Sequence, residues 1–173
     1  MRSLLQISSS PLFWKQPKLM EPAFELKYSE EILATLRFRN SFGSLAEGAV
    51  AEGTWSFKRL GFMKTYVTIR ERDKDSNIAV FRNNTWSDGG TLELPDGRKY
   101  QANSNFWHSE FEFTDEKGNP LIRFVNIGGF KLHAQLELMP PSRNLPEMPW
   151  MVLLGWYLAV MTSRDGEMVA AMF

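Results

Sequence analysis

Trp150-Met-Val-Leu-Leu-Gly155-Trp-Tyr-Leu-Ala-Val-Met161, close to the C-terminal end of the chain, is apolar on every side. The 16 residues between Glu147 and Arg164 carry no charge. A helix with an apolar surface all round must be buried, in lipid or in protein. Sixteen residues make about 24 Å of helix at ~1.5 Å per residue. A bilayer core is about 30 Å thick and needs around 20 residues. Pro149 and Gly155 weaken the run further as a membrane span. A helix over about 147–162, buried in protein, is therefore expected.

What precedes this helix reads as strands. Period-two alternation dominates from about residue 23 onward, the signature of strands with one dry face and one wet face. Its cleanest instance is Phe130-Lys-Leu-His-Ala-Gln-Leu-Glu-Leu138, where Phe130, Leu132, Ala134, Leu136 and Leu138 share a face. In 32–39, Ile32, Ala34, Leu36 and Phe38 point one way, and Thr35, Arg37 and Arg39 the other, with Leu33. Shorter versions occur at 24–28, 55–57, 65–70, 78–81 and 111–113. Turn residues punctuate them: Asp96-Gly97, whose residues tolerate the positive φ of a primed hairpin turn, then Asp115–Pro120 and Gly128-Gly129. Pro140-Pro141 ends the last strand, and residues 144–149 suit a helix entry because proline is accepted in a first turn.

Many one-faced strands need a common filler, and one all-apolar helix needs a dry sleeve. A closed antiparallel β-barrel of roughly 10–12 strands around a central C-terminal helix satisfies both and leaves no open sheet edge. The chain of 173 residues fits one such domain. Residues 1–22 are expected as an N-terminal extension packing on the barrel, and 23–173 as the barrel with its helix. Within the extension, Phe13-Trp14 either clips onto the barrel wall or stands out as an aromatic wedge.

Composition narrows function mainly by exclusion. Lys plus Arg equals Asp plus Glu at 20 each, so no global field favours nucleic acid, and none is expected as a partner. Cysteine is absent, which removes disulfides, thiolate metal sites and cysteine nucleophiles. The opening residues hold too few apolar side chains for a secretory signal. A cytoplasmic protein, peripheral to a membrane if it meets one, is the expectation.

The pattern resembles the tubby C-terminal-like superfamily, which includes the LURP-one-related proteins and the phospholipid scramblases. The residues that carry the likeness are Gly53-Thr-Trp-Ser-Phe57, the hairpin 90–100, and Trp107 through Gly118, taken as an aromatic strand and a turn. Leu153-Leu-Gly-Trp-Tyr-Leu158 completes the set. The resemblance spans roughly residues 24–162. It implies a closed barrel of about a dozen strands around a hydrophobic C-terminal helix, and interaction with membrane lipid or protein rather than catalysis. The cysteine-rich segment of the scramblases has no counterpart here, so the likeness does not extend to lipid scrambling.

Candidate chemistry is sparse. Asp73-Lys-Asp75-Ser-Asn77 has the first oxygens of a calcium loop, but Ile78 stands where glycine is needed and Asn84 where a bidentate Glu is needed. His108 and His133 are the only histidines, and neither has a spaced carboxylate partner for metal binding. His108 and Ser109, adjacent in an expected strand, would face opposite ways and form no nucleophile–base pair. No cofactor, metal site or catalytic residue is expected. The basic side chains Arg37, Arg39, Lys58, Arg59 and Lys64 are the candidates for holding a lipid headgroup.

The expected function is a non-enzymatic binding module whose barrel is plugged. It would contact membrane phospholipid, phosphoinositide or a protein partner through its outer surface. The alternative is a carrier barrel for a small lipid-like molecule, with the C-terminal helix outside as a membrane or dimerisation element.

Overall fold

The computed structural model describes residues 1–7, 11–84, 89–105 and 107–173. Twelve antiparallel strands close into one barrel, each bonded to its sequence neighbours, with β1 pairing β12 to complete the ring. They are β1 (Leu12–Lys15), β2 (Ala23–Tyr28), β3 (Glu31–Phe38), β4 (Ala46–Val50), β5 (Gly53–Leu60) and β6 (Tyr66–Glu71). The ring continues with β7 (Asn77–Asn83), β8 (Gly89–Glu93), β9 (Lys99–Ser104), β10 (Phe111–Thr114), β11 (Pro120–Gly128) and β12 (His133–Leu138). A short 3₁₀ turn, Pro140–Asn144, leads into α1 (Met148–Ala171), the one α-helix among the described residues.

The alternation works as read. Leu36 and Phe38 on β3, Phe57 on β5, Phe81 on β7, Phe113 on β10 and Phe124 on β11 are buried against the helix. Their strand neighbours are half-buried or exposed except Thr114, which is buried where the β10–β11 register shifts. Leu33 departs from simple alternation. Lys27 pairs Ile32 while Leu26 pairs Ala34, so Leu33 is the extra residue of a bulge and is buried with Ala34.

The helix fills the barrel. Every residue from Met148 to Met161 is buried. Two glycines let it approach the wall. A methyl on Gly48 of β4 would meet Leu153 at 2.9 Å, and one on Gly155 would meet the Phe124 ring and, at 3.1 Å, that of Phe113. Aromatic rings take up much of the remaining space: Trp156 stacks on Trp14 (centroids 5.5 Å apart, planes 5° apart) and Tyr157 on Phe38 (5.4 Å, 8°).

Several expectations need correction. The helix continues past 162 to Ala171, because Arg164 and Asp165 are tied to the β3–β4 connection and to β5 and Glu167, Met168, Ala170 and Ala171 are good helix formers. Residues 12–15 are not packed on the barrel but are its closing strand, with Leu12 and Trp14 pointing in. Four residues are too few for alternation to register. Phe130 is not on the strand face with Leu136: Gly128 and Gly129 adopt φ of 158° and 91°, the chain turns, and β12 begins only at His133. Residues 107–110 likewise turn rather than extend. At Asp96-Gly97 only Gly97 has positive φ (91°), so the turn is not primed. Gly97 N–H bonds the Leu94 carbonyl at 3.0 Å, a type I turn with Pro95 leading and glycine last.

Candidate functional site

In an up-and-down ring, alternate connections lie at the same end. The helix enters at one end, after β12, and leaves at the other. Its entry is anchored by Glu147, which accepts from the Tyr100 hydroxyl at 2.6 Å and pairs with Arg98. Burial and the neighbouring Glu147 carboxylate push the Tyr100 hydroxyl above its ordinary range.

The exit end carries the connections β1–β2, β3–β4, β5–β6, β7–β8, β9–β10 and β11–β12. Met20, Phe42, Phe62, Met63, Trp107 and Phe130 are each at least 80% exposed, and all six lie in these connections. Leu19, together with Met168 and Val169 on the projecting end of α1 and Met172 and Phe173 just beyond it, adds to the same rim. Among the described residues, the large apolar side chains exposed elsewhere are Met1 and Leu5. These sit at the entry end, where Arg2 pairs with Glu31 and Ser3 with Glu52. Scattered exposed apolar residues are ordinary, but their concentration at one end of a barrel points to an interaction surface.

Local chemistry shapes several of these turns. Asn40 Oδ1 accepts from the Phe42 and Gly43 N–H groups, turning the chain so that Phe42 stands at the apex. Gly61, at φ 89°, leads the turn that presents Phe62 and Met63; a side chain there would strike the Lys64 carbonyl. Asn105 Oδ1 accepts from the N–H groups of Ser109 (2.9 Å) and Glu110 (3.0 Å), and its amide donates to Ser109 Oγ at 2.8 Å, bracing the loop with Trp107. Gln16 Nε2 donates to the Leu19 and Glu21 carbonyls, both at 3.0 Å, behind Met20. The tips are pre-organised.

The basic residues singled out by sequence divide. Arg37, Arg39 and Lys58 are exposed on or beside the outer face of β3 and β5; Arg37 stands opposite Glu47 of β4, and Lys58 opposite Thr68. Lys64 is exposed in the β5–β6 turn, directly after Phe62 and Met63. Arg59 faces inward instead and grips Asp165 of α1 through two bonds of 2.6 and 3.0 Å, which raises its own pKa. It is a structural clasp. Arg39, Lys58 and Lys64 thus flank the Phe42, Phe62 and Met63 tips, while Arg37 lies farther down the wall.

Other candidates resolve without a site. Trp14 is core, and Phe13, its outward neighbour, lies under Lys15. His108 takes a positive φ of 54° in the β9–β10 connection, with its Nδ1 3.4 Å from Ser104 Oγ, while Ser109 belongs to the Asn105 brace. His133 Nδ1 donates to the Lys131 carbonyl at 3.2 Å. Asp73 and Asp75 lie in the β6–β7 turn at the entry end, interleaved with Arg72 and Lys74.

Sequence reasoning missed the apolar tips because it followed regular elements. The signal was present: Phe42, Phe62 and Phe130 are bulky residues set inside Asn/Gly/Ser turns, where no strand face can bury them. Comparison of the chain with protein-family models, curated proteins and solved structures finds no match.

Proposed function

We propose that this protein is a non-enzymatic binding module that docks end-on to a membrane surface through the exit rim. The single observation that carries the reading is the gathering of exposed apolar tips at one end of the barrel. Each large side chain moved from water into an apolar layer contributes up to about 1.5–3 kcal/mol, so three or four tips suffice for peripheral binding. Arg39, Lys58 and Lys64 beside the tips favour anionic phospholipid headgroups, each cation near the surface adding about 1 kcal/mol.

The outer wall favours end-on contact over lying flat or spanning. It carries charged pairs such as Lys27–Glu25 and Arg82–Glu93, and Arg123 amid Glu110, Glu112 and Glu137. Charges on a lipid-facing wall are costly. No helix among the described residues is long and apolar enough to cross a membrane. The carrier alternative needs α1 outside the barrel, whereas α1 fills it. Membership of the tubby C-terminal-like superfamily and a cytoplasmic, membrane-peripheral location belong to the same proposal, supported by twelve strands wrapped round a C-terminal helix.

The test is co-sedimentation with phosphatidylcholine/phosphatidylserine vesicles at low salt. The wild-type protein should pellet with them, and the triple variant Phe42→Ser, Phe62→Ser, Met63→Ser should bind at least tenfold more weakly at unchanged thermal stability. Equal binding by the two proteins, or none by the wild type, would remove the reading.

A further inference from the structure

The helix leaves the barrel off-centre. Near the exit, the Tyr157 hydroxyl donates to the Ser44 carbonyl at 2.5 Å. One turn or more later, Arg164 donates to the Gly43 carbonyl at 2.9 Å and lays its guanidinium over the Phe38 ring, 4.0 Å away. Asp165 is held by Arg59. All these partners belong to β3, the β3–β4 connection or β5, so the end of α1 is drawn to one side of the rim. Around a ring of twelve strands, the opposite side is the rim of β7 to β11, and a cleft of about 640 Å³ opens there between helix and sheet.

The cleft is graded in polarity. Its floor is formed by Phe81, Phe111, Leu158 and Ala159, all buried core residues. Asn83, Ser104, Thr162 and Ser163 supply amide and hydroxyl groups among the lining residues. No lysine or arginine is among the described lining residues, and the one carboxylate, Asp165, is neutralised by Arg59. Its size falls within the range of about 300–1,000 Å³ usual for small-molecule sites. Among the described lining residues the ionisable groups are Asp165, held by Arg59, and His108, so a hydrocarbon chain ending in hydroxyl or ester groups matches floor and lip better than a highly charged headgroup does.

We propose that this cleft binds the single hydrocarbon chain of a neutral amphiphile such as a monoacylglycerol. Its mouth lies on the rim that carries Trp107 and Val169, both exposed lining residues. A barrel docked by that rim would face the cleft toward the bilayer, so the reading of membrane docking supplies the route of entry. The cleft itself does not depend on it. The chain would come either from the membrane or from free monomers in solution.

The experiment titrates the full-length chain with a pyrene-labelled monoacylglycerol, presented below its critical micelle concentration and, separately, in neutral vesicles. Thr162→Trp places an indole in the cleft from an exposed position; Glu167→Trp adds the same bulk on another face of the projecting helix. Saturable 1:1 binding by the wild type and by Glu167→Trp, weakened at least tenfold in Thr162→Trp, is the expected result. Non-saturable binding, or equal binding by all three, would overturn the proposal. So would a concentration-dependent dimer that Thr162→Trp abolishes, because a second copy would then be the occupant. Uptake from monomers alone identifies a soluble amphiphile as the source, and uptake from vesicles a membrane lipid; either supports the site. The Phe42/Phe62/Met63 serine triple variant separates the two readings. If it still sediments with vesicles like the wild type while Thr162→Trp loses the probe, end-on docking fails and the cleft stands; if it loses vesicles and Thr162→Trp keeps the probe, the reverse holds.

Discussion

Single residues decide how closely the helix and barrel mesh. Gly155, read in the sequence as a weak point of an apolar run, is where the Phe124 and Phe113 rings sit against the helix backbone. Both rings are completely buried and have nowhere to retreat. Gly155→Ala should therefore lower stability by about 1–3 kcal/mol, the usual cost of overpacking, although alanine is the better helix former; urea unfolding measures it. Tyr157 supplies a second residue-scale prediction. Burial pushes its hydroxyl up to about 12, above the value of about 10 for an unfolded tyrosine. The neutral hydroxyl's contribution is thus complete below pH 10 and lost as pH rises through 12. Melting temperature should fall over that window, and fall less in Tyr157→Phe, as thermal melts from pH 9 to 12 would record. Neither role was legible in the sequence, because a glycine or a tyrosine in an apolar run does not say which wall it will meet.

At the scale of elements, α1 has two parts with different work. Residues 148–161 are core, and ten or so large side chains at about 1.5–3 kcal/mol each exceed the usual net stability of a domain. Removing 148–173 should leave a chain that aggregates and shows no cooperative unfolding. Removing only 167–173 takes away exposed residues and should leave the melting temperature within a few degrees while weakening vesicle binding. A circular-dichroism melt of each truncation, beside sedimentation, checks both halves. The apolar run was legible as a buried helix because it is greasy on every side. Its continuation to Ala171 was not, because Arg164, Asp165 and Glu167 look like an end. The partners of Arg164 and Asp165, namely Gly43, Phe38 and Arg59, lie more than a hundred residues away in the chain. Strand β1 was hidden for a related reason: four residues bordered by prolines acquire a face only when Leu12 and Trp14 meet β12 and β2.

At the scale of the whole molecule the barrel has two unlike ends. The entry-end connections carry Glu30, Glu52, Asp73, Asp75, Asp96, Asp115 and Glu116, and among them no large apolar residue is exposed. The exit end carries the tips. If docking is end-on, Trp107, 80% exposed, should pass from water into the membrane interface. Its emission should then shift to the blue with anionic vesicles and be quenched by shallow brominated lipid, and the shift should shrink in Trp107→Phe. An unchanged spectrum on binding would mean that another face meets the membrane. Composition and periodicity alone determined that this chain makes a plugged antiparallel barrel, because alternation and an all-apolar run are local patterns whose burial has few solutions. Which side chains gather was settled only by closure of the ring. Placing alternate connections at one end sets Met20, Phe42, Phe62, Trp107 and Phe130 around one rim, though they span more than a hundred residues. The off-centre helix, drawn over by Arg59 and Gly43, opens the cleft that no stretch of sequence contains.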